Sequence, residues 1–348
     1  MFARLAFYDV EKEKARNAKN AETPVSIIIC ARNEAENLKK NLPRILTQIH
    51  HSYEVIVIND GSTDDTKNIL LNFILKHRNL RTESAIDKPD HIPGKKFALA
   101  QGIALAKHDV LLLTDADCCP ASPFWLSEMQ KAMHTNIEIV LGFGPYEKKK
   151  GLLNKFIRYE TVYAAVQYLS FALMKIPYMG VGRNLMYKKS LYNKTGGFSS
   201  HEKIMSGDDD LFVNAAAGKQ NVAIVLNDDA FVYSKPKGDW FSFFIQKKRH
   251  LSTAKHYKMK HKVLLGLLSF SHLLHYTGGF LLVFYSNTIF MNIYLVRISL
   301  MLVCYYRILK KMKESSLLLW VPFLDALLAL YYLVFAPITI LGKSQKWK

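Results

Sequence analysis

No Asp or Glu occurs between Trp240 and Lys313, and from Val263 to Val296 the chain carries no formal charge of either sign. That stretch is long enough for one helix across a hydrocarbon layer of roughly 30 Å, a turn at residues 285–288 and the start of a second helix. A third apolar stretch runs from Leu317 to Leu341. Three in succession exceed what the core of a water-soluble domain needs. Residues 263–342 therefore read as a membrane region of about three apolar segments. Arg297 and Asp325 interrupt the second and third, where ionisable side chains face protein, a partner or water.

The charge balance supports this partition. The chain has 47 Lys and Arg against 29 Asp and Glu, a formal net charge of +18. No helix-turn-helix, RNP or zinc-finger spacing accompanies it, so nucleic acid is not expected as a partner. Much of the excess lies in residues 246–262, inside a segment 241–262 that reads as a basic interfacial helix beside membrane lipids. Positive residues mark the cytoplasmic side, which puts this segment and "RILKKMK" inside. The basic tail 343–348 fits poorly, since three crossings would leave it outside. Either Pro322 and Pro337 break the last segment into a re-entrant or interfacial piece, or the tail breaks the rule. Cys30, Cys118, Cys119 and Cys304 show no CxxC-type ligand spacing and read as reduced thiols. Nothing upstream resembles a secretory signal, because Phe2 to Tyr8 is too short and carries Arg4.

The front of the chain has a different pattern. Residues 1–23 read as an exposed lead-in, charged from Asp9 onward and without apolar periodicity. From Val25 a βα alternation begins. "VSIIIC" is followed by a helical repeat of Leu38, Leu42, Ile45 and Ile49, "YEVIVIND" by "DDTKNILLNFILKH", and "KKFALAQGIALAKH" leads into "DVLLLTDAD". Continuous rather than alternating apolar runs indicate a mainly parallel sheet covered by helices on both faces. The expected fold is α/β and Rossmann-like over residues 24–240, followed by transmembrane helices.

In open α/β sheets ligands bind beyond the carboxyl ends of the strands. Three apolar runs end in polar clusters: "ARNE" (31–34), "NDGS" (59–62) and "TDAD" (114–117). If the strands are parallel neighbours, the clusters line one crevice. An extended backbone sends alternate side chains to one side, so Asp115 and Asp117 can approach one target. A hard divalent cation takes its ligands from one or two carboxylates and completes them with phosphate oxygens and water.

"PVSIIICARNEAENL", "VIVINDGSTDDT", "GKKFALAQGI", "LLLTDAD", "GVGRNL", "GGF", "GDDDLF" and "QKKRH" occur in the order and rough spacing of the membrane-bound family 2 glycosyltransferases. The chain resembles these inverting enzymes of the GT-A fold, related to cellulose and hyaluronan synthases, over about residues 24–255. The resemblance implies a nucleotide-sugar donor, most often UDP-linked, with Mg²⁺ or Mn²⁺. It implies that Ala31 and Glu34 lie against the nucleoside, that Asp60 accepts from the uracil and that Lys95 approaches the diphosphate. Asp115 would contact ribose or metal, and Asp117 would be the main metal ligand.

"SGDDDLF" resembles the family's base motif and gives Asp208 the base position, with Gly207 where the family often has glutamate. Adjacent acids repel one another, which would raise at least one pKa toward the range useful for a base. Asp209 is also a natural helix cap. "GVGRNL" resembles the loop that meets acceptor and donor sugar, through Gly182 and Asn184. "QKKRH" resembles the QxxRW signature, with Gln246 and Arg249 matching and His250 replacing tryptophan.

The expected protein is a membrane-anchored inverting glycosyltransferase on the cytoplasmic face of a plasma membrane, in bacteria the inner one. Its acceptor would be lipid-linked or a nascent glycan. A processive polysaccharide synthase is the alternative enzyme. A catalytically silent nucleotide-sugar-binding scaffold is the alternative from another class.

Overall fold

A computed structural model describes residues 2–85, 89, 91–284 and 288–341. The turn expected at 285–288 falls largely outside the described residues, as does the basic tail 343–348. The chain forms two compact units. Among the described residues, one comprises 9–147 and 171–236, the other 2–8, 148–170 and 237–341. The expected single domain 24–240 is thus interrupted, since residues 148–170 cluster with the C-terminal helices.

The first unit is built on strands β1 (Val25–Ala31), β2 (Tyr53–Asn59), β3 (Leu80–Ser84), β4 (Val110–Asp115), β5 (Cys118–Pro120), β6 (Ile139–Leu141), β7 (Leu185–Lys188), β8 (Val222–Ile224) and β9 (Val232–Ser234). Seven form one sheet in the order β3-β2-β1-β4-β7-β6-β8, and β5 pairs with β9 separately. The pairs β3-β2, β2-β1 and β1-β4 are parallel. β7 runs antiparallel to both β4 and β6, so the sheet is mixed beyond β4. Two strands escape the sequence pattern. β3 is short and polar ("LRTES"), and β5 is three residues ending in proline.

Continuous apolar strands are explained by cover on both faces. Ile27 and Ile29 join a core with Leu38, Leu42 and Ile45 of the helix Ala35–Leu46. On the other face, the helix Gly94–Leu105 approaches so closely at Gly102 that an added Cβ would lie 2.7 Å from Ile28. Burying each such aliphatic side chain contributes roughly 1.5–3 kcal/mol. Residues 10–17 form a helix capped by Asp9, whose carboxylate accepts the Lys12 N–H at 3.0 Å. Its residues are mostly exposed or half-buried, so burial periodicity could not announce it.

The second unit is helical. The helix Leu152–Leu173 presents Phe156, whose ring packs against Trp240, Phe243 and Tyr331. Buried Arg158 pairs with buried Glu314. Thr288–Lys311 and Ser315–Phe335 are each long and apolar enough to cross a membrane. Among the described residues two such helices are found where about three apolar segments were expected, and the helix Met259–Phe284 is not one of the two. The last helix, Val321–Leu341, continues through Pro322 and Pro337. Pro322 lies in its first turn, where a missing N–H breaks no bond. Asp325 does face protein. It accepts from Tyr159 Oη at 2.6 Å and Tyr276 Oη at 2.7 Å, and lies 2.9 Å from His272 Nε2.

Candidate active site

Register brings the strand-end clusters level. Ala31 pairs with Asn59 across β1 and β2, and Cys30 with Asp115 across β1 and β4. The "ARNE", "NDGS" and "TDAD" segments therefore emerge together at one edge of the sheet. The first two are also laced together. Asn33 donates its N–H to Ser62 Oγ at 2.9 Å and accepts the Thr63 N–H at 2.8 Å. Glu34 donates its N–H to Thr66 Oγ1 at 3.0 Å. Asp64 accepts from Ala35 N and Thr66 N at 3.1 Å each, joining the first turns of the helices Ala35–Leu46 and Thr66–Ile74. Asn33 has φ of 56°, a left-handed conformation that asparagine tolerates better than most residues.

Asp60 is buried, and its N–H donates to the Ala31 carbonyl at 2.8 Å. Its carboxylate lies against the start of the helix Gly94–Leu105, where a Cβ at Gly94 would collide with it. Ala31 is 1% exposed and its carbonyl is engaged, so it holds Asp60 rather than offering a surface of its own. Next along the helix, Lys95 Nζ is 2.9 Å from Asp115 Oδ1 and 3.2 Å from Asp208 Oδ2. Burial disfavours the Lys95 charge, but Asp115, Asp208 and Asp209 together hold its pKa well above the usual lysine value. Burial likewise opposes ionisation of Asp208, yet Lys95 keeps its carboxyl below the ordinary aspartate range.

Asp115, Asp117 and Cys118 present ligand atoms within 4.8 Å of one another. Burial and then the charge of Asp115 push Asp117 upward, and Arg183 and Lys95 oppose that rise. Glu34 is pushed upward by burial first, with Asp117 and Asp115 adding to it. The two carboxylates offer the oxygen donors that suit a hard divalent cation. Cys118 is 0% exposed and its thiol is pushed far up by burial, so the two carboxylates are the fitting ligands.

The acidic run has distinct parts. Asp209 caps the helix Asp210–Ala216 and accepts two N–H groups, from Asp210 and from Gly182, both at 2.7 Å. Burial, then Asp208 and Asp210, push its carboxyl up to about 7. Repulsion among these acids thus raises Asp209, not the expected base Asp208. Gly207 has φ of +99°, and a Cβ there would stand 2.5 Å from Leu211 Cδ1. That accounts for the glycine at this position.

Asn184 requires a correction. It was expected to meet the acceptor, but it is 0% exposed and fully employed inside the fold. Its Nδ2 donates to the Phe143 and Ala230 carbonyls at 2.9 Å each, and its Oδ1 accepts from Trp125 Nε1 at 3.0 Å. Gly182 stays with the site through its bond to Asp209. Gln246, Arg249 and His250 belong to the other unit, on the helix Trp240–Leu251. The buried residue of that run is Lys247, which pairs with Glu160.

Two site residues were missed. Lys96, 2% exposed, donates to the carbonyls of His201 (2.6 Å), Ile204 (2.8 Å) and Ser206 (3.0 Å), fixing the loop that leads to Asp208. Burial pushes its ammonium down to about 8. The signal was available, because Lys96, Leu99 and Ile103 share one helical face. Arg183 lies with its guanidinium 4.6 Å over the Tyr146 ring and helps to balance the Asp117 charge.

Residues 26–203 match the family model described as Glycosyl transferase family 2. The chain is 30% identical over 193 residues to the glycosyltransferase AglE of Haloferax volcanii, covering 53% of this chain and 58% of that protein. It is 27% identical over 179 residues to the poly-β-1,6-N-acetyl-D-glucosamine synthase of Staphylococcus epidermidis, covering 49% of this chain and 41% of that one. The matches thus span about half the length of these relatives. Among solved structures, the mannosyltransferase PcManGT from Pyrobaculum calidifontis, in complex with GDP-Man and Mn²⁺, superposes with a TM-score of 0.53 at 16% identity. The superposition covers 95% of this chain and 97% of that one, a likeness of fold.

Proposed function

The chain belongs to glycosyl transferase family 2, and from that premise we propose that it moves a sugar from a nucleotide-sugar donor, UDP-linked, to a lipid-linked or nascent glycan acceptor at a membrane, with inversion at the anomeric carbon. The observation that carries the reading is the bridge made by Lys95, which joins a carboxylate of the Asp115/Asp117 pair to Asp208.

In this reading Asp60 and Glu34 bind the nucleoside, and Lys95 meets the diphosphate. Asp115 and Asp117 hold Mg²⁺ or Mn²⁺, which when bound neutralises charge on the departing diphosphate. Asp208 takes the proton from the acceptor hydroxyl as that oxygen attacks the anomeric carbon. Lys95 keeps Asp208 ionised and so able to accept that proton. Lys96 fixes the 201–206 loop, and Asp209, bonded to Gly182, aligns the start of the next helix behind the base. Gln246, Arg249 and His250 remain candidates for the acceptor and diphosphate side.

The two apolar helices support a membrane setting, and the basic residues support the cytoplasmic face for the catalytic unit. The test is to incubate purified protein in lipid with a panel of UDP- and GDP-sugars and Mg²⁺ or Mn²⁺. Release of free nucleotide from one donor, dependent on acceptor lipid or glycan, is the expected result. Metal-dependent binding with no turnover under any acceptor would favour a silent scaffold instead. A processive synthase is the second reading, favoured by the relative named as a polymer synthase. A product ladder rather than one added sugar would establish it.

A further inference from the structure

A lysine in the first turn of a helix works against the backbone dipole, which favours anions there. The helix Gly94–Leu105 nonetheless opens with two, Lys95 and Lys96, and has no acid in its first turn. Lys96 is accounted for by the three carbonyls of the 201–206 loop. Lys95 is held by two acids instead, its Nζ 2.9 Å from Asp115 Oδ1 and 3.2 Å from Asp208 Oδ2.

The root of this side chain has little freedom. A Cβ at Gly94 would collide with the Asp60 carboxylate, and the Lys95 carbonyl meets the Cys30 thiol at 3.8 Å. The ammonium can leave Asp115 only by swinging its own stem toward a stronger anion.

The pairing has a consequence for the two carboxylates read as a cation site. Asp115 already carries a counter-charge, and Arg183, its guanidinium 4.6 Å over the Tyr146 ring, bears on Asp117. A divalent ion on Asp115 would meet the Lys95 ammonium within a few ångströms. At such a range the repulsion costs about tenfold or more in affinity, even at the dielectric of water. A diphosphate reverses that balance, because it carries more negative charge than one aspartate and is the anion that the donor reading assigns to Lys95.

We propose that Lys95 guards Asp115: in the nucleotide-free protein its ammonium keeps a divalent ion off the carboxylate pair, and a nucleoside diphosphate opens the pair by drawing that ammonium to its own oxygens, so that nucleotide and ion enter together. Lys95 is then a residue that sets the order of binding, in addition to its contact with the donor. The proposal rests on the nucleotide-sugar reading of the site, and the two fail by different measurements.

The experiment titrates Mn²⁺ into the full chain, purified in detergent without nucleotide, and follows free Mn²⁺ by electron paramagnetic resonance. Lys95→Gln should bind Mn²⁺ at least about tenfold more tightly than wild type. Lys95→Arg, which keeps the charge, should bind it as weakly as wild type. Asp117→Asn added to Lys95→Gln should abolish the gain. Equal affinity in wild type and Lys95→Gln, a gain shared by Lys95→Arg, or a gain that survives Asp117→Asn overturns the proposal. If Lys95→Gln is only marginally folded, thermal unfolding replaces the titration, since an ion that binds the folded state raises the midpoint. Mn²⁺ should then raise the midpoint of Lys95→Gln more than that of wild type, and equal shifts overturn the proposal. In parallel, UDP and GDP affinities of wild type are measured with and without Mn²⁺. Nucleotide binding strengthened by Mn²⁺ is expected. Indifference of both nucleotides to Mn²⁺ removes the donor reading and the proposal with it, whereas Mn²⁺-dependent nucleotide binding beside an unchanged Mn²⁺ affinity in Lys95→Gln removes the proposal alone.

Discussion

Asp115 and Asp208 come from strand and loop segments far apart in the chain, yet they share one ammonium. Lys95 Nζ lies 2.9 Å from Oδ1 of the first and 3.2 Å from Oδ2 of the second. This pairing keeps Asp208 charged inside a buried environment, where an isolated carboxylate would be neutral.

Replacing Asp208 with Asn removes the proposed proton acceptor and leaves the Asp60 and Glu34 side of the site intact. Transfer should fall by about 10²–10⁴-fold, while donor affinity measured by calorimetry changes little. Turnover within a few-fold of the parent would move the base to Asp209 or Asp210.

Asp117→Asn halves the charge of the carboxylate pair proposed to hold the cation. Donor affinity in the presence of Mn²⁺ should drop at least about tenfold, and chelation of the wild-type protein should produce a similar loss. A dissociation constant indifferent to both changes would show that the pair holds no ion.

Gly207→Glu adds an acid to the acidic run, but in a backbone that glycine alone adopts readily. A left-handed conformation costs a non-glycine residue roughly 1–2 kcal/mol, and the new Cβ meets Leu211 as well. Denaturant titration should show lower stability, with Gly207→Ala showing most of the same loss. An unaltered midpoint for both variants would contradict the account of this glycine.

Lys96→Met withdraws a buried donor from three carbonyls in the loop before Asp208. A loss of roughly 2–4 kcal/mol is expected, since charged hydrogen bonds are the stronger kind and the stranded acceptors stay buried. In the fraction that folds, kcat should fall more than donor affinity. The reverse order would put Lys96 in donor binding rather than in positioning the base.

Asp209 gives a pH test. Its folded-state carboxyl is pushed up to about 7 from an ordinary aspartate value of 3.8. Between those values the folded protein holds a proton that the unfolded chain has released, so this group's contribution to stability declines as pH rises from about 4 to about 7 and is level above. Asp209→Asn should flatten that decline in chemical denaturation at pH 5, 6 and 7. A parallel pH profile for the two proteins would remove Asp209 as its source.

What could be read from residue order was whatever local chemistry dictates. Ile27 to Ile29, Val55 to Ile58 and Leu111 to Leu113 announce strands buried on both faces, and the polar residues after them announce the end of the sheet where the candidate site lies. Asp115 and Asp117 were legible as a carboxylate pair at the end of a buried strand, although the extended backbone expected to carry both ends at Asp115 and Asp117 lies in the turn after it. Asn184 was not. A polar side chain in a glycine-rich loop looks the same whether it meets a ligand or, as here, Trp125, Phe143 and Ala230 from three other segments. The division between Asp208 and Asp209 depends on Lys95 and Gly182, which only the tertiary fold brings near. The helix at residues 10–17 has no buried stripe to reveal it, and β3 is an edge strand of polar residues.

The lacing of Asn33 to Ser62 and Thr63, and of Glu34 and Ala35 to Thr66 and Asp64, has a consequence for inheritance and for engineering. Neither loop can be exchanged with that of a relative without severing the bonds that shape the other. Swapping one alone should misfold the proposed donor pocket, whereas transplanting both as a cassette should keep its shape.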